Sequence, residues 1–186
     1  MSKTTVVYAH PYEKSFNHGI LETVKAAIAA KGDEVDVLDL YADGFNPVYQ
    51  PQELAMFSRG EYLDPLIGRY HESLRGADRV IFIFPVWWNE APAIVKGFFD
   101  KVMLPGFGYK VVDGAMKPVL DIAQTLVITT SEAPTELFAP YFRDYFIPMT
   151  LGTVGMRNAR WLNCPGMTSG TADDRRAFLA TVASLL

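Results

Sequence analysis

Hydrophobic positions along this chain alternate between short continuous apolar runs and longer stretches in which they recur every three or four residues. Thr5–Ala9 is a run of the first kind, stopped by His10-Pro11, and predicts a buried strand. Ser15 then stands as a helix N-cap. Phe16, Ile20, Leu21, Val24 and Ile28 carry one helical face until Lys31-Gly32 ends it. Glu34–Leu40 predicts a second strand through Val35, Val37 and Leu38. From Tyr41 to about Pro65 the pattern is irregular, with Pro47 and Pro51 among several aromatics, and predicts at most a short helix. Leu66–Leu74 predicts a helix and Val80–Phe84 a strongly β-prone strand. Pro92 marks the start of a helix buried through Ile94, Val95, Phe98, Phe99 and Val102. Gln124–Thr129 predicts another strand and Glu136–Tyr145 a helix. Trp161 falls in or near a last short strand, and Thr171–Leu185 closes the chain as a helix.

The first, third and fourth of these strands are apolar throughout, as parallel strands covered on both faces are. The fold class is therefore α/β: a doubly wound parallel sheet of about five strands with helices on both faces, one domain over residues 1–186. Ligands of such sheets sit outside the carboxyl ends of the strands, near the switch in strand order. That rule selects the loops after Ala9, Phe84 and Thr129.

Composition narrows the function without naming it. With 186 residues, 49% of them hydrophobic, the chain can bury a full core, and disorder is excluded. A net charge of −4 argues against a nucleic-acid partner. Cys164 stands alone, so neither a disulfide framework nor a cysteine zinc site is available. His18 and His71 lie on predicted helices without a second ligand at metal spacing, so no metal is expected. No apolar run approaches the roughly 18 residues needed for a membrane span. Met1–Thr5 runs straight into a strand with no secretory pattern, and a cytoplasmic protein is expected.

The first loop, His10-Pro11-Tyr12-Glu13-Lys14-Ser15-Phe16-Asn17, has neither a G-x-G-x-x-G nor a P-loop lysine pattern, so neither a Rossmann dinucleotide site nor an ATP site is supported. It does place a histidine, a hydroxyl and an amide around a helix N-terminus, where phosphate is favoured. The same residues also make an ordinary capped turn. In the second loop, Pro85-Val86-Trp87-Trp88-Asn89-Glu90-Ala91-Pro92, two tryptophans follow a central strand. An indole beside backbone donors suits a flat heteroaromatic ring; a core plug or a dimer contact is the other reading. Tyr141-Phe142 and Tyr145-Phe146 read as core and interface aromatics, or as the roof of a substrate pocket.

His10 with Ser15-Phe16-Asn17, followed by Phe84-Pro85-Val86-Trp87-Trp88 and then Ala91-Pro92-Ala93-Ile94-Val95-Lys96-Gly97-Phe98-Phe99-Asp100-Lys101-Val102, resembles the NAD(P)H:quinone oxidoreductase family. Pro105-Gly106-Phe107-Gly108-Tyr109 resembles that family's next segment. The resemblance runs from about residue 4 to 130 and is weaker afterwards. It implies a flavodoxin-like sheet and a bound flavin, FAD with FMN as the alternative. The flavin would be reduced by NADH or NADPH and reoxidised by a quinone or similar flat acceptor. It also implies a homodimer whose active site is shared, with Tyr41–Pro65 helping to form it.

By position, His10, Ser15, Phe16 and Asn17 would hold the diphosphate and adenosine side. Pro85, Val86, Trp87, Trp88 and Asn89 would line the isoalloxazine, with Trp88 and Asn89 offering backbone N–H groups. Tyr109 would close over the substrate together with Trp88, and Arg175, in Ala172-Asp173-Asp174-Arg175, would approach the adenine and favour FAD. No residue is assigned acid–base catalysis. Thr129, Thr130 and Ser131 would face the flavin's pyrimidine edge, but Thr129-Thr130-Ser131-Glu132 departs from the family's Thr-Thr-Gly-Gly. Those glycines let the backbone approach closely, and Glu132 would bring a negative charge towards a ring that becomes anionic on reduction. The tyrosine–histidine pair that some relatives use for that charge is absent, since no histidine follows His71. A flavodoxin-type electron carrier and a flavin-bearing regulatory subunit of a transporter remain the alternative functions.

Overall fold

The computed structural model describes residues 1–186. Five strands, β1 (Lys3–Tyr8), β2 (Glu34–Asp39), β3 (Arg79–Pro85), β6 (Gln124–Thr130) and β7 (Arg160–Cys164), form one parallel sheet in the order β2-β1-β3-β6-β7. Between them run α1 (Phe16–Ala30), α2 (Pro51–Met56), α3 (Pro65–Arg75), α4 (Ala93–Val102), α5 (Thr135–Ala139) and α6 (Ala172–Ser184). The chain steps from β1 out to β2 and returns to the far side of β1 as β3, so the order reverses between β1 and β3.

Alternation along the central strands divides the core. Val80, Phe82 and Phe84 of β3 join a large cluster with Val7, Val127 and the inner faces of α3 and α4. Ile81 and Ile83 turn the other way, packing with Val6, Ile128, Leu21 and Val24 of α1 and Val182 of α6. Both faces of β3 are thus covered, which is why it carries an unbroken apolar run. Ser15 caps α1 by accepting from His18 N at 3.1 Å, and Thr171 caps α6 in a reciprocal box with Asp174.

Two segments depart from the sequence expectation. The predicted helix Glu136–Tyr145 is α-helical only over α5 and continues as a π-helix, Pro140–Leu151. Pro140 and Pro148 have no N–H to donate, so the α-helical ladder loses a bond at each and the wider winding takes over. A hairpin, β4 (Tyr109–Val112) with β5 (Ala115–Pro118), also went unpredicted, although its turn is Asp113-Gly114 with both residues at positive φ. An Asp-Gly pair is the strongest short hairpin signal.

The irregular Tyr41–Pro65 segment folds back on α4. Gly97 permits this, since a Cβ there would lie 2.3 Å from Pro47 Cβ. A buried ion pair fastens the segment, with Lys101 Nζ 2.9 Å from Glu53 Oε1. No helix is long and apolar enough to cross a membrane.

Candidate functional site

The three loops chosen from sequence meet at the carboxyl edge of the sheet. Val86 N donates to Thr130 O at 2.8 Å, joining the second loop to the third. Asn17 Nδ2 donates to Thr130 Oγ1 at 2.8 Å, joining the first to the third. The His10 and Trp87 rings lie 6.3 Å apart, joining the first to the second.

The second loop is a tight turn. Trp87 N donates to Glu90 O at 3.1 Å and Glu90 N to Trp87 O at 3.2 Å, which forces Trp88 and Asn89 to φ 50° and 68°. Left-handed backbone is ordinary for Asn but strained for a bulky residue such as Trp, at about 1–3 kcal/mol. Trp88 is 97% exposed, so nothing in the core compensates that strain. The N–H groups of Trp88 and Asn89 have no acceptor within the chain. The turn therefore holds two donors and an indole ready for a ligand.

At the first loop the N–H groups of Phe16 and Asn17 open α1 without partners, and no acidic side chain lies in its first turn. Asn17 is buried and its Oδ1 has no partner. His10 is part-buried, and its Nδ1 accepts from Tyr12 N at 3.1 Å. Burial holds it below the usual histidine range, so it is neutral at pH 7. These are the requirements of a flavin phosphate, and the residues present fit one.

Other expected contacts lie elsewhere. Thr129 is wholly buried, its Oγ1 donating to Asn163 Oδ1 at 2.8 Å and accepting from Trp161 Nε1 at 2.9 Å. Ser131 Oγ donates to Ala133 O and accepts from Asn163 Nδ2, both at 2.9 Å. Both hydroxyls face inward, and what the third loop leaves open are the N–H groups of Glu132 and Ala133, which donate to nothing in the chain. The Glu132 carboxylate turns to Thr168, accepting from its N and Oγ1 at 2.8 Å each. Arg175 Nη2 donates to Met167 O at 2.7 Å. Cys164 is buried, and burial pushes its thiol above the usual range despite nearby Arg175.

Two grooves flank the meeting point. One, of about 730 Å³, is lined by Tyr109 of the hairpin, Glu90 and Ala91 of the second loop, and Tyr141 and Tyr145 of the π-helix. Tyr49, Leu54 and Phe57 reach it from the irregular segment, and sequence patterning gave no sign of them. Tyr49 donates to Asp100 O at 2.6 Å, and burial, with Asp100 and Glu53 nearby, pushes its pKa up to about 12. The other groove, of about 610 Å³, lies between the 165–170 loop and α6, beside Phe178. Phe178 also packs on Phe16, with ring centroids 6.1 Å apart. No group of three or more His, Cys, Asp or Glu side chains converges on a metal position.

The family model described as flavodoxin-like fold matches residues 2–186. The chain belongs to that family. Its five-stranded order is the flavodoxin-like one, with the first and second loops at the β1/β3 switch point. Rat NAD(P)H dehydrogenase [quinone] 1 is 35% identical over 123 residues, 58% of this chain and 45% of the rat protein. The curated relatives of this flavodoxin-like chain at that level are matched over about half their length. The Streptococcus mutans protein Smu.1420 superposes with a TM-score of 0.85 at 30% identity, covering 98% of this chain and 97% of that one. NAD(P)H:quinone oxidoreductase from Methanothermobacter marburgensis superposes with a TM-score of 0.86 at 26% identity, covering 98% and 96%.

Proposed function

We propose that this flavodoxin-like protein is a flavin-dependent NAD(P)H oxidoreductase that passes two electrons to a quinone or similar flat acceptor. The observation that carries this is the Trp87–Glu90 turn, which holds two unpartnered N–H groups and an exposed indole beside the open start of α1. The names of the rat and archaeal relatives point to the same activity. We take the cofactor to be FAD rather than FMN, because Phe178, which packs on Phe16 at the start of α1, borders a groove with room for a second nucleotide half.

When bound, the flavin supplies the chemistry, accepting hydride from NADH or NADPH and giving two electrons to the acceptor. The chain's part is to bind and orient. The Phe16 and Asn17 N–H groups would hold the phosphates, with the Asn17 side chain fixing the start of α1 to Thr130. The Trp88 and Asn89 N–H groups would meet acceptors of the flavin ring, and the Glu132 and Ala133 N–H groups would offer a second pair. Trp88 and Tyr109 would frame the flat acceptor beside the largely apolar groove. Tyr49 stays protonated and fixed on Asp100, so it shapes the groove and transfers no proton. Leu54, Met116, Tyr145 and Met149 are exposed around that groove, which suits coverage by a second copy in a homodimer.

Anaerobic addition of one equivalent of NADH, then of NADPH, to the FAD-loaded protein tests the activity directly. Loss of the flavin absorption band with either nucleotide, and its return on adding a naphthoquinone, is expected. A bound flavin that neither nucleotide bleaches refutes the proposal. Sedimentation of the loaded protein at twice the chain mass is expected for the dimer.

A further inference from the structure

The groove of about 730 Å³ beside the second loop is walled mostly by apolar and aromatic side chains, and its charges do not balance. Glu90, Lys96 and Asp100 are the charged side chains that line it. Lys96 and Asp100, one turn apart on α4, satisfy each other, Nζ to Oδ1 at 2.5 Å. Glu90 takes part in none of the chain's ion pairs. Its backbone is fixed by the reciprocal bonds to Trp87, so the carboxylate springs from a rigid turn. Lys110 and Lys117, directly opposite each other in the hairpin, alternate with Tyr109 and Met116 and stand on its other face. The groove therefore carries one uncompensated negative charge.

Aromatic faces surround that charge. Tyr109, Tyr141 and Tyr145 line the groove, with the Tyr141 and Tyr145 rings stacked at 6.2 Å between centroids. Burial pushes the Tyr141 hydroxyl above the usual tyrosine range, and nearby Glu90 adds to this against a bond from the Ala91 N–H. That phenol stays neutral, and its ring keeps the negative face that attracts a cation. A carboxylate among tyrosine faces suits a positive group on the ligand. A sulfonate or carboxylate there meets repulsion and no counter-charge.

We propose that this groove selects flat acceptors bearing a quaternary ammonium or pyridinium group over those bearing a sulfonate or carboxylate, with Glu90 as the specificity-determining residue. This rests on the reading of the groove as the acceptor's place. A quinone becomes a hydroquinone by gaining the two electrons and one proton of a hydride, and a second proton from water. The ring ends as neutral as it began, so the substituent alone sets the preference.

Two measurements on the FAD-loaded parent, Glu90→Gln and Glu90→Lys test this. The first is the reoxidation rate, after bleaching with NADH or NADPH, by 1,4-naphthoquinones bearing a trimethylammonium or a sulfonate group. The two quinones differ in intrinsic reactivity, so their rate ratio is compared between variants. The second is calorimetric binding of two redox-inert probes, phenyltrimethylammonium and benzenesulfonate. The parent should bind the cation at least about tenfold more tightly than the anion. Glu90→Gln should shrink both ratios by at least about threefold, and Glu90→Lys should shrink them further. Because Glu90 is exposed, added salt should shrink the parent's ratio too. Equal affinity of the parent for the two probes, or ratios that Glu90→Gln leaves unchanged, overturns the proposal; reoxidation by both quinones would then leave the oxidoreductase reading standing. A flavin that neither nucleotide bleaches removes the oxidoreductase reading, and the acceptor preference with it.

Discussion

Replacing Glu53 by Ala removes one half of a buried ion pair, and the structure sets what that costs. The side chains of Lys101 and Glu53 are 4% and 9% exposed. Without the carboxylate, the Lys101 ammonium keeps the carbonyl of Asn46 at 3.0 Å, a long contact to Val48 O at 3.5 Å, and the Phe45 ring at 5.8 Å. Breaking a buried pair from one side costs about 3–5 kcal/mol. The surviving Asn46 contact and the ring place this case at the lower end, about 3 kcal/mol. For a chain of this length that lowers Tm by about 6–12 °C. Urea and thermal unfolding of Glu53→Ala, Glu53→Leu, Lys101→Met and the double variant Glu53→Leu/Lys101→Met measure it. The double variant should regain much of the loss, because no charge is left buried. A Glu53→Ala loss below about 1 kcal/mol, with additive singles, would mean that water reaches the pair and that it does not fasten the irregular segment.

Trp88→Ala should change stability by less than about 0.5 kcal/mol, since the indole is solvent-exposed, yet weaken flavin binding; unchanged flavin affinity in a titration counts against the second loop as the site. Gly97→Ala should destabilise by about 1–3 kcal/mol, because the new Cβ meets Pro47 Cβ at 2.3 Å and its carbonyl oxygen at 2.5 Å; thermal melts check this. His71 donates from Nε2 to Val102 O at 2.7 Å, and burial lowers its pKa. Its folded pKa lies below its unfolded value, so the unfolded chain takes up the proton first and stability falls as pH drops below about 6.5. His10 shifts in the same direction, so His71→Gln should lessen that fall without abolishing it, as urea midpoints between pH 5 and 8 will show.

The central sheet was legible because β1, β3 and β6 are covered on both faces and announce themselves as apolar runs, while Ser15 and Pro92 mark helix starts. The three loops followed from topology alone. What escaped has a common cause, dependence on contacts distant in the chain. Nothing in the local pattern of Glu53 and Lys101 says that both are buried, yet their pairing folds Tyr49 and Phe57 against the groove. The partner of Glu132 lies 36 residues away, so its charge was expected at the cofactor and is found strapping a loop. The π-helix needed two prolines and tertiary packing together, and no apolar period predicts it. The Asp113-Gly114 hairpin is different, since its signal is local and was present.

That hairpin shares no ladder with the five-stranded sheet, and Val111, Val112 and Met116 on it are exposed. It supplies Tyr109 and Met116 to the groove proposed for the acceptor, while the proposed cofactor cradle is built on β1, β3, β6 and the start of α1. On the proposed function, lengthening, shortening or exchanging residues 109–118 would therefore recut the mouth of the acceptor groove and leave the flavin's seat alone. In such an architecture a lineage, or a designer, can broaden the range of acceptors one hairpin at a time.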